Sequence, residues 1–404
     1  MPGYGTRYWT ERTPNTKRGS HPVFRGEHEA DVVVIGGGLV GATAAYVLAK
    51  GGLDVVLLEA ERIASGATPS GIGAILPDPA ASFRDVQAAC GIRTARTAWQ
   101  EARRSALDMA AAIKRLGIRC DLSEQPFVIA AGQADVATFK REQADRKSAG
   151  LDAPLMTTAT ARAAIGTSAA AAMRLRDGFV FDPVRATMGF TKAAIAVGAR
   201  VFEKSAVRRT RFTRKQADVF TANGHVTARG VYVATGRPGP VFNQLSRHVR
   251  EQQGFVVVTE PLSAAMRRET GSRDVVIREA GANGHWTRWL SDDRVLFAGA
   301  LGAAVPPRQL DRALVQRTGQ LMYELSVRYP VISGLPAHWA WPLPVVSTAD
   351  GLPWIGPHRN YPFHFFALAF GWHADGLAWF AAKAALRHFQ QASKRGDDAF
   401  GFLR

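Results

Sequence analysis

Residues 31–59 read DVVVIGGGLVGATAAYVLAKGGLDVVLLE, and the order of patterns within them constrains the chain more than any other stretch. An apolar run, Val32 to Ile35, leads into Gly36, Gly38 and Gly41. An apolar-periodic segment follows from Leu39 to Lys50, and a second apolar run, Val55 to Leu58, ends at Glu59. Strand, glycine turn, helix, strand and terminal acid in this order form the unit that seats a dinucleotide. Gly36 permits the tight turn, Gly38 lets the backbone approach the pyrophosphate, and Gly41 lets the helix pack close to the strand. The helix N-terminus at Leu39 and Val40 presents free N–H groups and a positive dipole end to the phosphates. Glu59 lies 18 residues beyond Gly41, at the tip of the second strand. A carboxylate there holds a ribose hydroxyl pair and disfavours a 2′-phosphate, which argues against NADP. The 18 uncharged residues from Val32 to Ala49 also have the length of a membrane span, but the glycines and the switch from strand-like to helical patterning speak against one.

The chain has 404 residues, too many for one hydrophobic core, so two domains are expected. Residues 1–30 are polar and rich in proline and arginine, without the apolar core of a signal peptide. They read as an arm over the body that Tyr8 and Trp9 pin in place. The two cysteines, Cys90 and Cys120, make no disulfide framework, and a reducing cytoplasmic compartment is expected. The net charge of +17 implies attraction to acidic partners, yet the basic residues are scattered, with only short groups such as Arg208-Arg209 and Arg267-Arg268. A solvated basic surface is the expected meaning. No recognised RNA-binding module is present, so nucleic acid is not an expected partner.

Along the chain, Arg93 to Leu116 and Ala134 to Ser148 read as helices, with Ile118 to Leu122 and Pro126 to Ala131 as short strands between them. Phe179 to Asp182 leads to Pro183 and a helix over Val184 to Val197, followed by a strand at Arg200 to Phe202. Ala217 to Thr221 and Val226 to Arg229 flank Asn223-Gly224 as a hairpin, and Val231 to Ala234 is a buried strand closed by Thr235-Gly236. Beyond Gln252 the texture turns to strands: Gly254 to Thr259, Asp274 to Arg278, Trp286 to Leu290 and Arg294 to Ala298. Asp311 to Tyr329 is helical, and Gly371 to His388 is a loop feeding a helix. The expected fold is α/β: a Rossmann-like dinucleotide domain, and a second α+β domain on a mixed, largely antiparallel sheet. The first takes residues 31–85, 176–245 and 342–404; the second takes 86–175 and 246–341.

At this point the chain resembles the D-amino-acid oxidase-type FAD-dependent oxidoreductases, a family that includes glycine and sarcosine oxidases. Four landmarks carry the resemblance over nearly the whole length. They are the fingerprint; the loop Ser65-Gly66-Ala67-Thr68 with Gly71 and Gly73; the strand end Val231 to Gly236; and Asp350 to Gly356 with Phe370 to Leu377. Tyr8-Trp9, and Trp286-Thr287-Arg288 with Arg294 to Gly299, are similar to the gamma-glutamylputrescine oxidase branch.

The resemblance implies FAD, with cofactor contacts from Gly36, Gly38, Leu39, Val40, Gly41, Glu59, Ala60, Arg62, Ser65, Gly66, Ala67, Thr68, Gly71, Gly73, Val207, Ala234, Thr235, Gly236 and Gly356. It adds Gly371, Trp372, His373, Ala374, Asp375, Gly376 and Leu377 at the isoalloxazine edge. Neither His nor Cys occurs between Ser65 and Gly73, so non-covalent FAD is expected. No metal is expected. The implied reaction is hydride removal from an amine-bearing carbon to flavin N5, giving an imine that hydrolyses, with O2 as acceptor. The alternatives are a dehydrogenase passing electrons to a quinone, and modification of an RNA-borne amine. His373, Arg288 and Trp372 are the catalytic candidates. Trp286, Arg288, Trp341 and Trp372 are the substrate-binding ones, with Arg288 as a two-pronged carboxylate anchor. Seven of the nine tryptophans lie beyond residue 285, in reach of such a pocket. Ala374 stands where the family shows glycine, and Asp375 beside it is expected to cap the following helix.

Overall fold

A computed structural model describes residues 3–404 apart from residues 15, 17, 282, 283 and 373. The fingerprint strand Gly26–Ile35 lies at the centre of a sheet, with Val55–Leu58 and then Arg200–Phe202 parallel to it on one side. On its other side lies the 13-residue strand Gly224–Gly236, also parallel to it, with Gly224 opposite Gly26 and Val233 opposite Ile35. The expected hairpin is present as Ala217–Phe220 against Gly224–Gly236, but the buried strand expected at Val231 to Ala234 is the continuation of the hairpin's second strand. Tyr361–Leu368 pairs parallel with that long strand and antiparallel with Trp354–His358.

The helix Leu39–Lys50 is buried along nearly its whole length because it is covered twice, by Pro183–Ala196 and by Ala374–Phe389. Its small residues permit that double packing, since helices approach closely only where side chains are short. Asp182 caps Pro183–Ala196 by accepting from the backbone N–H groups of Val184 and Arg185, both at 3.0 Å, with Pro183 in the first turn as expected.

Among the described residues the second sheet has eight strands. Their order is Gly3–Tyr4, Ala337–Ser347, Arg250–Thr259, Val295–Ala303, Trp286–Trp289, Val276–Glu279, Phe127–Ala131 and Ala171–Leu175. Two pairings are parallel, Gly3–Tyr4 with Ala337–Ser347 and Val276–Glu279 with Phe127–Ala131, and the rest are antiparallel. The N-terminal arm therefore does more than lie over the body: it adds an edge strand. Ala337–Ser347 belongs wholly to this sheet, so the return to the first sheet comes after residue 347 rather than at 342. The helix Leu310–Arg328 covers the outer face, around a core that includes Phe255, Val257, Phe297, Leu321 and Leu325.

Two sequence expectations fail locally. Residues 118–122 are not a strand, because Asp121 takes a positive φ of 53° that breaks the extended run. Only Ser123–Glu124 pairs, with Phe179–Val180. The helix expected from Arg93 begins earlier, at Phe83, and is interrupted at Gly91, where φ is 82°.

Candidate functional site at the junction of the two sheets

The glycine turn is shaped by backbone crowding. Gly36 has a φ of 108°, and a Cβ on it would stand 2.6 Å from the Ala234 carbonyl oxygen. A Cβ on Gly41 would stand 1.8 Å from the Gly36 carbonyl oxygen, so helix and turn meet only through glycine. At Gly38, which precedes the helix in extended conformation, a Cβ would approach only the Thr68 hydroxyl, at 3.1 Å. Gly38 thus leaves room for a ligand rather than for protein, as a phosphate-binding turn requires. The Thr68 hydroxyl accepts from the Leu39 N–H at 3.0 Å and so joins the helix N-terminus to the second landmark loop. Gly37 is a residue that the motif spacing does not single out. Its N–H donates to Glu59 Oε2 at 2.6 Å, and a Cβ there would strike Ile63 at 2.5 Å. Glu59 also accepts from the Glu61 N–H at 2.8 Å. Burial pushes the Glu59 carboxyl up, against the pull of these two N–H groups. The glycines, the helix end and the acid fit an adenine dinucleotide: clear space at Gly38, and a carboxylate already oriented by the turn.

The loop after Thr68 is held by side chains from distant segments. Trp341 Nε1 donates to the Ser70 carbonyl at 3.0 Å, and Trp9 Nε1 donates to the Gly71 carbonyl at 2.9 Å. Arg288 Nη1 donates to the carbonyls of Ile72 at 2.7 Å, Gly73 at 2.6 Å and Phe181 at 3.1 Å. Gly73 has a φ of 68°, and a Cβ on it would lie 2.4 Å from Arg288 Nη1.

These bonds change two sequence readings. Arg288 lies on the expected strand but has one arm committed to backbone, and its guanidinium stacks 4.9 Å from the Trp9 ring. Its Nη1 is committed to backbone, while its Nε is buried without a hydrogen-bond partner, so a carboxylate could be met only along the Nε–Nη2 edge. Burial lowers its pKa to about 10. Trp341 is fully buried with its N–H on Ser70, so it is a tether of the loop rather than a pocket wall.

Asp375 departs from expectation too. It sits in the first turn of Ala374–Phe389, inside the helix start rather than at the cap. Its carboxyl accepts from the Ala74 backbone N–H and faces Arg288, while burial pushes its pKa up to about 7. Gly376 follows with its carbonyl accepting from Ser105 at 2.6 Å, and Leu377 is buried behind it. His373 lies outside the described residues.

Beside this loop the second sheet forms a cavity of about 460 Å³. Strand register places Met173, Ile129, Arg278, Trp286, Ala298, Val256 and Trp341 in one rank across seven strands. Side chains in one rank share a face. Met173, Ile129, Arg278 and Trp286 line the cavity together with Trp372. Trp372 lies against the strand Arg250–Thr259 where that strand has Gly254, whose Cβ would stand 2.9 Å from its ring. The Arg278 guanidinium lies 5.6 Å from the Trp286 ring centre, and its Nη1 is buried with no hydrogen-bond partner. Asp78 is 3.9 Å from that nitrogen but is already held by Arg146 at 3.0 Å and by the Ala80 N–H at 2.9 Å. Arg146 also bonds Glu142 at 2.8 Å. Burial lowers the Arg278 pKa, with Asp78 opposing and Arg146 reinforcing the shift. A buried guanidinium whose donors are unfilled is the side chain in this cavity most in need of an anion.

In the sequence Arg278 is no more than the end of a strand. The signal that marks it is its place opposite Trp286, one strand over from Arg288. The remaining expected cofactor residues have separate surroundings. Arg62 donates to the Gly19 carbonyl at 2.9 Å, and the Ser65 hydroxyl accepts from the Arg62 N–H at 3.3 Å. Ala67 precedes the short helical turn Thr68–Ser70. A Cβ on Gly66 or Gly371 would meet nothing within 4 Å. Val207 packs on the core behind the first sheet, and Gly356 lies in Trp354–His358. Ala60 follows Glu59 at the strand tip. Ala234, Thr235 and Gly236 end the long strand beside Gly36. Among the described residues no group of side chains is arranged to hold a metal ion, and no helix is long and apolar enough to cross a membrane.

Comparison with known proteins agrees with this fold. Residues 31–387 match the family described as DAO, FAD dependent oxidoreductase. Gamma-glutamylputrescine oxidoreductase of Escherichia coli (strain K12) is 27% identical over 335 residues, 81% of this chain and 76% of that protein. The crystal structure of glycine oxidase from Geobacillus kaustophilus superposes with a TM-score of 0.74 at 18% identity, covering 93% of this chain and 99% of that one. The L-amino acid deaminase from Proteus myxofaciens, solved in complex with anthranilate, gives a TM-score of 0.75 at 15% identity, covering 96% of each chain.

Proposed function

The chain belongs to the DAO family of FAD-dependent oxidoreductases, and from that premise we propose that it oxidises an amine carrying a carboxylate or similar anion, with O2 as acceptor. FAD is its cofactor, and when bound it supplies the hydride acceptor. The residues at the second sheet do the rest. Arg278 binds the anionic end of the substrate. Trp286 and Trp372 wall the site with apolar surface, exclude water and strengthen the charge pairing inside. Arg146, Asp78 and Glu142 hold the Arg278 side of the cavity in place through their buried ion pairs. Arg288, turned away toward the loop, places a positive charge beside Asp375.

The observation that carries this reading is Arg278: a buried guanidinium with an unpartnered Nη1, on the face of the sheet that meets the flavin-edge loop. Names among the relatives support the amine or amino-acid class, since they include a gamma-glutamylputrescine oxidoreductase, a glycine oxidase and an L-amino acid deaminase. Non-covalent attachment is supported by the absence of His and Cys from residues 65–73. The test is anaerobic mixing with a panel of amines and amino acids, followed by admission of O2. Loss of flavin colour with an anionic amine, and stoichiometric hydrogen peroxide on reoxidation, are expected. Reduction by amines without peroxide would remove O2 as acceptor; no reduction by any amine would remove the reaction.

A further inference from the structure

Four successive carbonyls, those of Ser70, Gly71, Ile72 and Gly73, each accept a hydrogen bond from a side chain outside the first sheet. The donors are Trp341 and Arg288 from the second sheet and Trp9 from the N-terminal segment. Trp9 is the member of this set that does not lie on a strand of either sheet. It lies on a five-residue helix, Tyr8–Arg12. The segment around it is tied at several points. Gly3–Tyr4 pairs with Trp339 and Ala340, and the Tyr8 hydroxyl donates to Asp292 at 3.0 Å. Trp339 Nε1 donates to the Glu11 carboxylate, and Arg7 Nη1 reaches the Ser65 carbonyl at 3.1 Å. Tyr8 and Trp9 are nearly fully buried and meet edge to face, 4.9 Å apart. Trp9 then makes two contacts at once: its N–H fixes Gly71, and its ring face carries the Arg288 guanidinium that fixes Ile72 and Gly73.

We propose that Trp9 is a positioning residue for the flavin: the N-terminal segment acts as a strap that sets the Ser70–Gly73 loop, and through that loop the seating of the bound cofactor. The loop follows Thr68, which already touches the dinucleotide turn, and runs into Ala74, whose N–H is held by Asp375. It therefore joins the phosphate end of the site to the ring end. Buried carbonyls need partners wherever they occur. Here each of the four has a side-chain partner from the second sheet or the N-terminal segment, and Gly73 also accepts from the Phe181 N–H at 3.0 Å, so the loop's position depends on residues outside the fingerprint. The proposal concerns cofactor seating and stands or falls separately from the identity of the amine.

The test uses the full-length holoenzyme with Trp9→Phe, which keeps an aromatic face for Arg288 and removes the N–H. Three readouts are compared with wild type: the FAD dissociation constant, the visible circular dichroism of bound flavin, and the thermal midpoint of the FAD-free protein. Loss of one buried hydrogen bond that bears on the cofactor weakens FAD by roughly 3- to 10-fold. It should also change the flavin dichroism, with only a small shift of the FAD-free midpoint. A lowered midpoint with unchanged FAD affinity and unchanged dichroism would overturn the proposal, because that is what packing alone produces. Should Trp9→Phe yield no folded protein, Tyr8→Phe loosens the strap at Asp292 and leaves the Trp9 side chain intact. A smaller change of FAD affinity and dichroism in the same direction supports the proposal, and unchanged values overturn it.

Discussion

On the function and cofactor seating proposed above, the glycine turn and the loop at the ring end hold the same cofactor in opposite ways. The turn is local: Gly36, Gly37, Gly38, Gly41 and Glu59 come from 24 consecutive residues and act mainly through backbone shape. The ring end is assembled from Trp9, Asp78, Arg146, Arg278, Trp286, Arg288, Trp341 and Asp375, and it acts through side chains. A backbone site fails when any Cβ is added, whereas a side-chain site fails in graded and separable ways. The contrast predicts where substitutions abolish the protein and where they tune it.

The largest effect is expected at Gly41. Gly41→Ala drives a methyl into the Gly36 carbonyl, 1.8 Å away in the present geometry. It should give no soluble FAD-loaded protein, read as soluble yield and flavin absorbance. Gly38→Ala meets only the Thr68 hydroxyl, so it should fold and yet bind FAD weakly. Equal behaviour of the two variants would break the distinction between a packing glycine and a ligand-facing one.

Next comes Arg278→Met, which keeps length and removes charge. It should lower kcat/KM for a carboxylated amine by about 10- to 100-fold, the cost of losing hydrogen bonds to a charged group. A neutral amine of the same size should change little. Steady-state kinetics on the matched pair decide the matter. A similar loss for both compounds would return Arg278 to a purely structural role.

The fold is legible in the sequence where pattern is local. Gly36, Gly41 and Glu59 can be read from spacing alone, and Asp182-Pro183 announces a helix start. The site at the second sheet is only half legible. Trp286 and Arg288 fall on the expected strand, but one arm of Arg288 is engaged by carbonyls 215 and 216 residues away in sequence. Nothing in the local pattern reports such a bond. Arg278 and Asp78 escape notice because their meaning comes from strand register and from a helix, Val136–Ser148, that brings Arg146 to them. Asp375 is expected at a cap and lies in the first turn, since a cap and its neighbours look alike in sequence.

A third test uses pH. The folded FAD-free protein keeps the Asp375 proton up to about pH 7, whereas the unfolded chain releases it near the ordinary aspartate value. The folded state then binds more protons across that window, so its stability falls as pH rises from about 4 to about 7. Asp375→Asn should flatten this part of the profile, measured by denaturant midpoints at successive pH values. An unchanged slope would separate Asp375 from the ring-end charge network.

The smallest effect is expected at Glu59. Its two oxygens each accept from one backbone N–H, and Gln keeps only one of those bonds, so Glu59→Gln should weaken FAD by several-fold, about the worth of one charge-assisted hydrogen bond. Titration of the FAD-free protein with FAD provides the check.

The most direct measurement is anaerobic loss of flavin colour in the wild-type protein, driven by an amino acid and, separately, by the same compound with its carboxylate converted to an amide. A seat for FAD beside an unfilled guanidinium predicts reduction by the acid at much lower concentration than by the amide. Equal reduction by both, or reduction by neither across a broad set of side chains, would contradict the account.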